Sequence, residues 1–151
     1  MTEPGNAVLV DANLLLWAHH TAFGDHEAAR TWWSETLTTT PLVGIPWPSS
    51  LAFLRISTHP RALERPLGIE PAWQVVRGWL GRPNVRVPVP TERHAEILAS
   101  LLLGGRATGN HTTDAHLAAL AIEWGLELCS VDRDFARYPG LRWRDPLRDL
   151  A

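Results

Sequence analysis

The amino-acid sequence predicts an α/β fold in which helices cover both faces of a central, mainly parallel sheet. Three observations carry this expectation. Short apolar runs such as residues 7–10 and 128–130 have the length and make-up of buried strands. Between them lie longer segments that open on a capping residue or a proline and close on glycine, as helices do. Strands that alternate with helices in this way build parallel sheets, because each parallel crossover needs a covering element. With 151 residues, 45% of them apolar, the chain has the size and core-forming capacity of one domain spanning 1–151.

The elements follow in order. Residues 7–10 form a strand that ends at Asp11, and a short helix follows over 13–18. Asp25 caps a helix over 26–37. Residues 42–45 form a second strand, and Pro48 suits the first turn of a helix that runs to Ser57 and stops at Thr58-His59-Pro60. Pro71 opens a helix to Leu80, and residues 85–87 are a strand. Thr91 is read as the cap of a helix over 92–103, stopped by Gly104 and Gly105. After a loop at Gly109-Asn110, a helix starts at Thr112 or Thr113 and runs to Trp124, closed by Gly125. Residues 128–130 form a strand, 132–135 a turn, and 141–143 a final short strand.

Composition narrows the function classes. The net charge of −2 does not advertise nucleic acid, so any such binding must come from local arrangement, a metal or a partner. All fourteen basic residues are Arg, which excludes any mechanism that needs a lysine. The single cysteine, Cys129, allows no intrachain disulfide and sits in an apolar run as a small buried hydrophobe. Residues 1–6 are polar and lack the basic start and apolar stretch of a signal peptide. No apolar segment approaches the roughly 18 residues of a membrane helix, so the expectation is a soluble cytoplasmic protein with no membrane association.

The acids point to a site. In an open parallel sheet, ligands bind beyond the carboxyl ends of the strands. Asp11 directly follows the first strand; Asp132 and Asp134 follow the strand ending at Ser130; Asp114 lies in the first turn of its helix. Three chain segments thus deliver carboxylates to one region. Like charges at close range repel and raise one another's pKa. A hard divalent cation removes that cost, and once held it polarises a phosphate oxygen and activates water. Each acid also has a plainer reading. Asp114 alone is a helix cap, and Asp132 or Asp134 alone is a turn residue. Asp11 interrupts an apolar stretch and is harder to explain that way.

The residues around these acids resemble the motifs of PIN domains. V-L-V-D-A-N-L-L-L-W-A at 8–18 resembles their opening, T-D-A-H-L-A-A-L-A at 113–121 their third acidic motif, and L-C-S-V-D-R-D-F at 128–135 their fourth. The motifs occur in family order across nearly the whole chain. P-W-P-S-S-L-A-F-L-R at 46–55 is similar to a branch of the VapC-type toxins. The resemblance implies a PIN-like three-layer α/β/α sandwich and a ribonuclease dependent on Mg²⁺ or Mn²⁺. It further implies a homodimer, an RNA substrate and a cognate antitoxin. By position it makes Asp11, Asp114 and Asp132 the catalytic and metal-binding acids, with Asp134, Ser130 and Asn13 in support. One departure stands out: PIN domains usually carry a Glu on the helix after the second strand, and here that position is Ala52. Glu123 is no substitute, because nine residues after Asp114 it faces the other side of the helix.

Arg55 either meets phosphate or a partner or is simply solvated. Asn13 either orients the Asp11 carboxylate or caps the short helix. His116 points away from Asp114, and His19 and His20 are read as surface residues. Trp32 and Trp33 are adjacent, so one is expected in the core and the other at an interface, where Trp17 and Leu54 would join it in an apolar groove. A receiver-type phosphorylation domain is excluded by the absence of Lys, and a haloacid-dehalogenase phosphatase by Asn13 in place of its second Asp. The competing reading is a non-catalytic PIN-like module that binds RNA or protein, and Ala52 keeps it open.

Overall fold

A computed structural model describes residues 7–148. The polar segment 1–6 lies outside the described residues. The elements run β1 (Ala7–Val10), α1 (Ala12–His19), α2 (His26–Thr39), β2 (Leu42–Gly44), α3 (Trp47–Ser57), α4 (Ile69–Leu80), β3 (Val85–Arg86), α5 (His94–Gly104), α6 (His111–Trp124), β4 (Glu127–Cys129), a 3-10 turn (Arg133–Arg137) and β5 (Trp143–Arg144). The strands form one sheet in the order β3-β2-β1-β4-β5, and every pairing is parallel.

Alternation along β1 sorts the core into two layers. Val8 and Val10 face α1 to α4, in a cluster with Leu14, Leu15, Phe53, Val76 and Trp79. Leu9 faces the other way, with Leu128, Leu101 and the alanine-rich face of α6. The result is the expected three-layer arrangement, fully parallel rather than mainly so. Among the described residues, no helix is long and apolar enough to cross a membrane.

Several boundaries differ from expectation, each for a local reason. Asp25 does cap α2, accepting from the Ala28 N–H at 3.2 Å. Thr91 does not cap α5. Its hydroxyl and its N–H both donate to Glu123, and the helix begins three residues later. α6 starts earlier, at His111. It closes as expected: Gly125 adopts the left-handed conformation (φ 67°), and the Leu126 N–H reaches back to the Ala121 carbonyl at 2.8 Å. The last strand is shifted two residues, because Leu128 and Ser130 bond to the carbonyls of Arg142 and Arg144.

The expectation that Trp32 and Trp33 divide between core and interface is corrected: both are buried. α2 packs on two sides, so two adjacent side chains find cover. Trp33 meets Trp79 edge-on at 5.7 Å and Trp32 at 6.0 Å. The surface reading of the histidine pair holds only for His19. His20 is half-buried and bonded to the Ser57 hydroxyl at 2.8 Å.

Candidate active site

β1 and β4 are neighbours at the middle of the sheet, where the strand order reverses. Such a reversal opens a crevice beyond the strands' carboxyl ends. Asp11 leaves β1 in extended conformation and caps α1. One carboxylate oxygen accepts from the Ala12 N–H at 2.8 Å, and the other accepts from the Ser130 hydroxyl at 2.7 Å. Ser130, fully buried at the end of β4, also accepts from the Asn13 amide and from the Asp132 N–H, each at 3.0 Å. A serine hydroxyl has one proton, and here the carboxylate takes it. Asn13 must therefore turn its NH₂ toward Ser130, which leaves its buried Oδ1 without a protein partner. Asn13 thus fixes the acid through Ser130 and does not cap α1. Asp132 caps the 3-10 turn by accepting from the Asp134 N–H at 2.9 Å.

Asp114 arrives from the other layer, in the first turn of α6, and its position there is not a cap. Burial and then the charges of Asp11 and Asp132 push its carboxyl up to about 6, with Asp134 adding to the effect and His111 opposing it. Asp11 is also raised. Burial is the main cause, the hydrogen bonds from Ser130 and Ala12 pull it back, and Asp132 adds repulsion. The three predicted acids, with Asp134 beside them, therefore share one field. Among the described residues, no three Asp, Glu, His or Cys side chains converge on one point as ligands. The acids meet through space, across an open mouth. The donor set still fits a hard divalent cation: all oxygen and mutually repelling.

Residues the sequence reading passed over complete the rim. His111 Nε2 meets the Asp134 carboxylate at 3.1 Å, and its Nδ1 meets the Arg137 guanidinium at 3.0 Å. The Tyr138 hydroxyl donates to the His111 carbonyl at 2.6 Å. Burial and the nearby Asp114 push that phenol up to about 12. His111 had a legible signal: three residues before Asp114, it shares a face with it once the helix starts early enough.

Ser49, buried in α3, donates to the Val10 carbonyl at 2.7 Å, immediately before Asp11. Ala52 lies one turn further on the same side of α3, so the position lacking the usual acid is turned toward the end of β1. Arg55 is exposed. Glu123 is remote from the acids, as its spacing required. It accepts from the Thr91 N–H at 2.8 Å and hydroxyl at 2.7 Å and pairs with His94 Nδ1. His94 Nε2 in turn meets His116 Nδ1 at 3.0 Å.

The PIN domain family model matches residues 8–141. The chain belongs to the PIN-domain family. Ribonuclease VapC33 of Mycobacterium tuberculosis is 41% identical over 142 residues, covering 94% of this PIN domain and 99% of the relative. Ribonuclease VapC37 of the same organism is 41% identical over 138 residues, covering 91% and 96%. Among solved structures, this PIN domain superposes on the DNA-bound VapBC of Salmonella typhimurium with a TM-score of 0.65 at 21% identity, covering 93% of this chain and 98% of that one. The promoter-DNA complex of VapBC2 from Rickettsia felis matches with the same TM-score at 13% identity, covering 91% and 97%. Both structural matches bear on the fold alone.

Proposed function

We propose that this PIN domain is a metal-dependent endoribonuclease and acts as the toxin of a toxin–antitoxin pair in the cytoplasm. Asp11, Asp114 and Asp132 would hold a Mg²⁺ or Mn²⁺ ion, which when bound polarises the scissile phosphate and activates water. The chain's own residues do the rest. Ser130 and Ala12 hold the Asp11 carboxylate in one orientation, and Asn13 holds Ser130. Asp132 fixes the start of the 3-10 turn, and Asp134 anchors His111 at the rim. The observation that carries this reading is the meeting of three segments' carboxylates at the sheet's reversal, with Asp114 pushed to about 6 by burial and its acidic neighbours. The ribonuclease names of relatives that share 41% of their residues support the same activity.

The names of the structural neighbours, VapBC complexes, support an antitoxin of the VapB kind as the partner; a homodimer is the form that the PIN-domain resemblance implies. Trp32 and Trp33 are core residues and cannot line a groove for that partner. Trp47 and Leu51 on α3 and Ile69 and Trp73 on α4 are the exposed apolar side chains available to it instead. Ala52 favours a second reading, a PIN-like module that binds RNA or protein without cleaving it.

Cleavage of RNA with and without EDTA separates the two readings. Asp11→Asn, Asp114→Asn and Asp132→Asn keep shape and remove charge, so each should lower cleavage by roughly 10²-fold or more with the fold intact by circular dichroism. Cleavage by all three at the parental rate would mean that the site is misassigned.

A further inference from the structure

A second feature borders the acid cluster. Beyond the carboxyl end of β5 lies an open cleft of about 300 Å³ lined by Trp143, Arg144, Asp145 and Arg148. β5 is the edge strand, and Arg144 lies opposite Cys129 in the register, beside Ser130. The Trp143 indole N–H donates to the Ser130 carbonyl at 3.0 Å. The same Ser130 holds Asp11 through its hydroxyl. The ring at the cleft is thus bonded to the residue that holds Asp11, one strand over from the acids, and Asp11, Asp114 and Asp132 do not themselves line the cleft.

Its chemistry differs from that of the acids. Residues 133–148 hold five of the chain's fourteen arginines, in a protein of net charge −2. Three of these arginines are structural. Arg137 is held by His111, Arg142 donates to the Gly125 carbonyl at 2.9 Å, and Arg144 pairs with Glu127 at 2.8 Å. Arg148 is exposed at the cleft. It follows a tight turn set by the Leu147 N–H bonding to Asp145 at 3.0 Å. Trp143 is half-buried, with its N–H tied down, so one ring is held in place at the wall of the cleft.

A fixed aromatic surface beside an exposed guanidinium is how proteins hold unpaired nucleotides: the base stacks on the ring, and the cation meets the backbone. We propose that this cleft is a nucleotide subsite, in which a base next to the scissile phosphate stacks on Trp143 while Arg148 pairs with an adjacent phosphate. The inference rests on the nuclease reading above. A base within a duplex cannot reach the ring, so a single strand is the probe for it.

The test is binding in EDTA, where cleavage does not intrude. Fluorescence anisotropy is read with a labelled single-stranded RNA and with its duplex. Trp143→Leu should weaken single-strand binding about tenfold, within the range for loss of one base stack, and leave duplex binding unchanged. Trp143→Phe keeps a ring but loses the bond to Ser130, and should retain most of the affinity. Arg148→Ala should weaken binding several-fold and flatten the salt dependence by about 0.7 in the slope of log K against log salt. If Trp143→Phe loses as much as Trp143→Leu, the residue acts by supporting Ser130 and the subsite is overturned. If neither Trp143→Leu nor Arg148→Ala changes the affinity of a protein that does bind and cut RNA, the subsite is wrong and the nuclease reading stands. A parent protein that neither binds nor cuts RNA overturns both.

Discussion

The charge crowding at Asp114 makes a measurable demand on the metal-free protein. Its carboxyl moves from 3.8 to about 6, so the folded state holds that proton more tightly than the unfolded chain does. The stability this contributes is fully present below pH 3.8 and is lost as the pH rises through about 6. A shift of roughly two units corresponds to at most about 3 kcal/mol. Asp114 is half exposed, and solvent screening reduces this to about 1–2 kcal/mol. Asp114→Asn removes the charge at nearly constant volume. In EDTA at pH 8 the variant should therefore melt about 3–6 °C above the parent, and at pH 3.5 the two should coincide. Adding Mn²⁺ at pH 8 should raise the parent's melting temperature and leave the variant's nearly unmoved. Differential scanning fluorimetry across this pH range reads all three. A difference between variant and parent that fails to grow with pH would show that Asp114 does not feel the other acids.

Two further predictions follow from the same geometry. Ala52→Glu should tighten Mn²⁺ binding by about tenfold in titration calorimetry, equivalent to about 1.4 kcal/mol, because it returns a carboxylate to the side of α3 that faces the end of β1. Unchanged affinity would mean that position 52 does not reach the site. Glu123→Gln should cost about 2 kcal/mol in chemical denaturation at pH 7, since the buried side chain would lose its charge-assisted bonds to Thr91 and His94. Burial pushes the Glu123 carboxyl up, but the hydrogen bonds from Thr91 and His94 outweigh it and hold it below the ordinary 4.5. Its contribution is present above that pH and is lost as the pH falls through the folded value, so parent and variant should converge in acid.

The centre of the fold was legible because its pattern is local. The run from Ala7 to Val10 ends in Asp11, and Leu128 to Ser130 leads to Asp132, so spacing alone placed two acids at strand ends, and the sheet order made those strands neighbours. The long-range hydrogen bonds were not legible, since their partners lie far apart in sequence. Thr91 has the form of a helix cap, and its oxygen does accept from the Arg93 N–H at 3.1 Å, yet its proton and its N–H go to Glu123, thirty-two residues away, and the helix begins only at His94. Nothing local distinguishes those two uses. The buried Trp pair failed for a related reason: one helical stripe is the rule for a surface helix, and α2 is covered on two sides. Edge strands of two residues, such as β3 and β5, leave too little alternation to read.

The Ser130 hydroxyl, which joins Asp11, Asn13 and Asp132, has a consequence for how the protein opens and closes in solution. All three partners hang on β1 and β4, the central pair of the sheet, whose backbone amides should be among the last to exchange with solvent. Fraying of an edge strand or a loop leaves this junction whole, so Asp11 and Asp132 keep their places until the molecule as a whole comes apart. A protein arranged in this way has no inexpensive idle state of its own, and silencing it requires something that binds the assembled form.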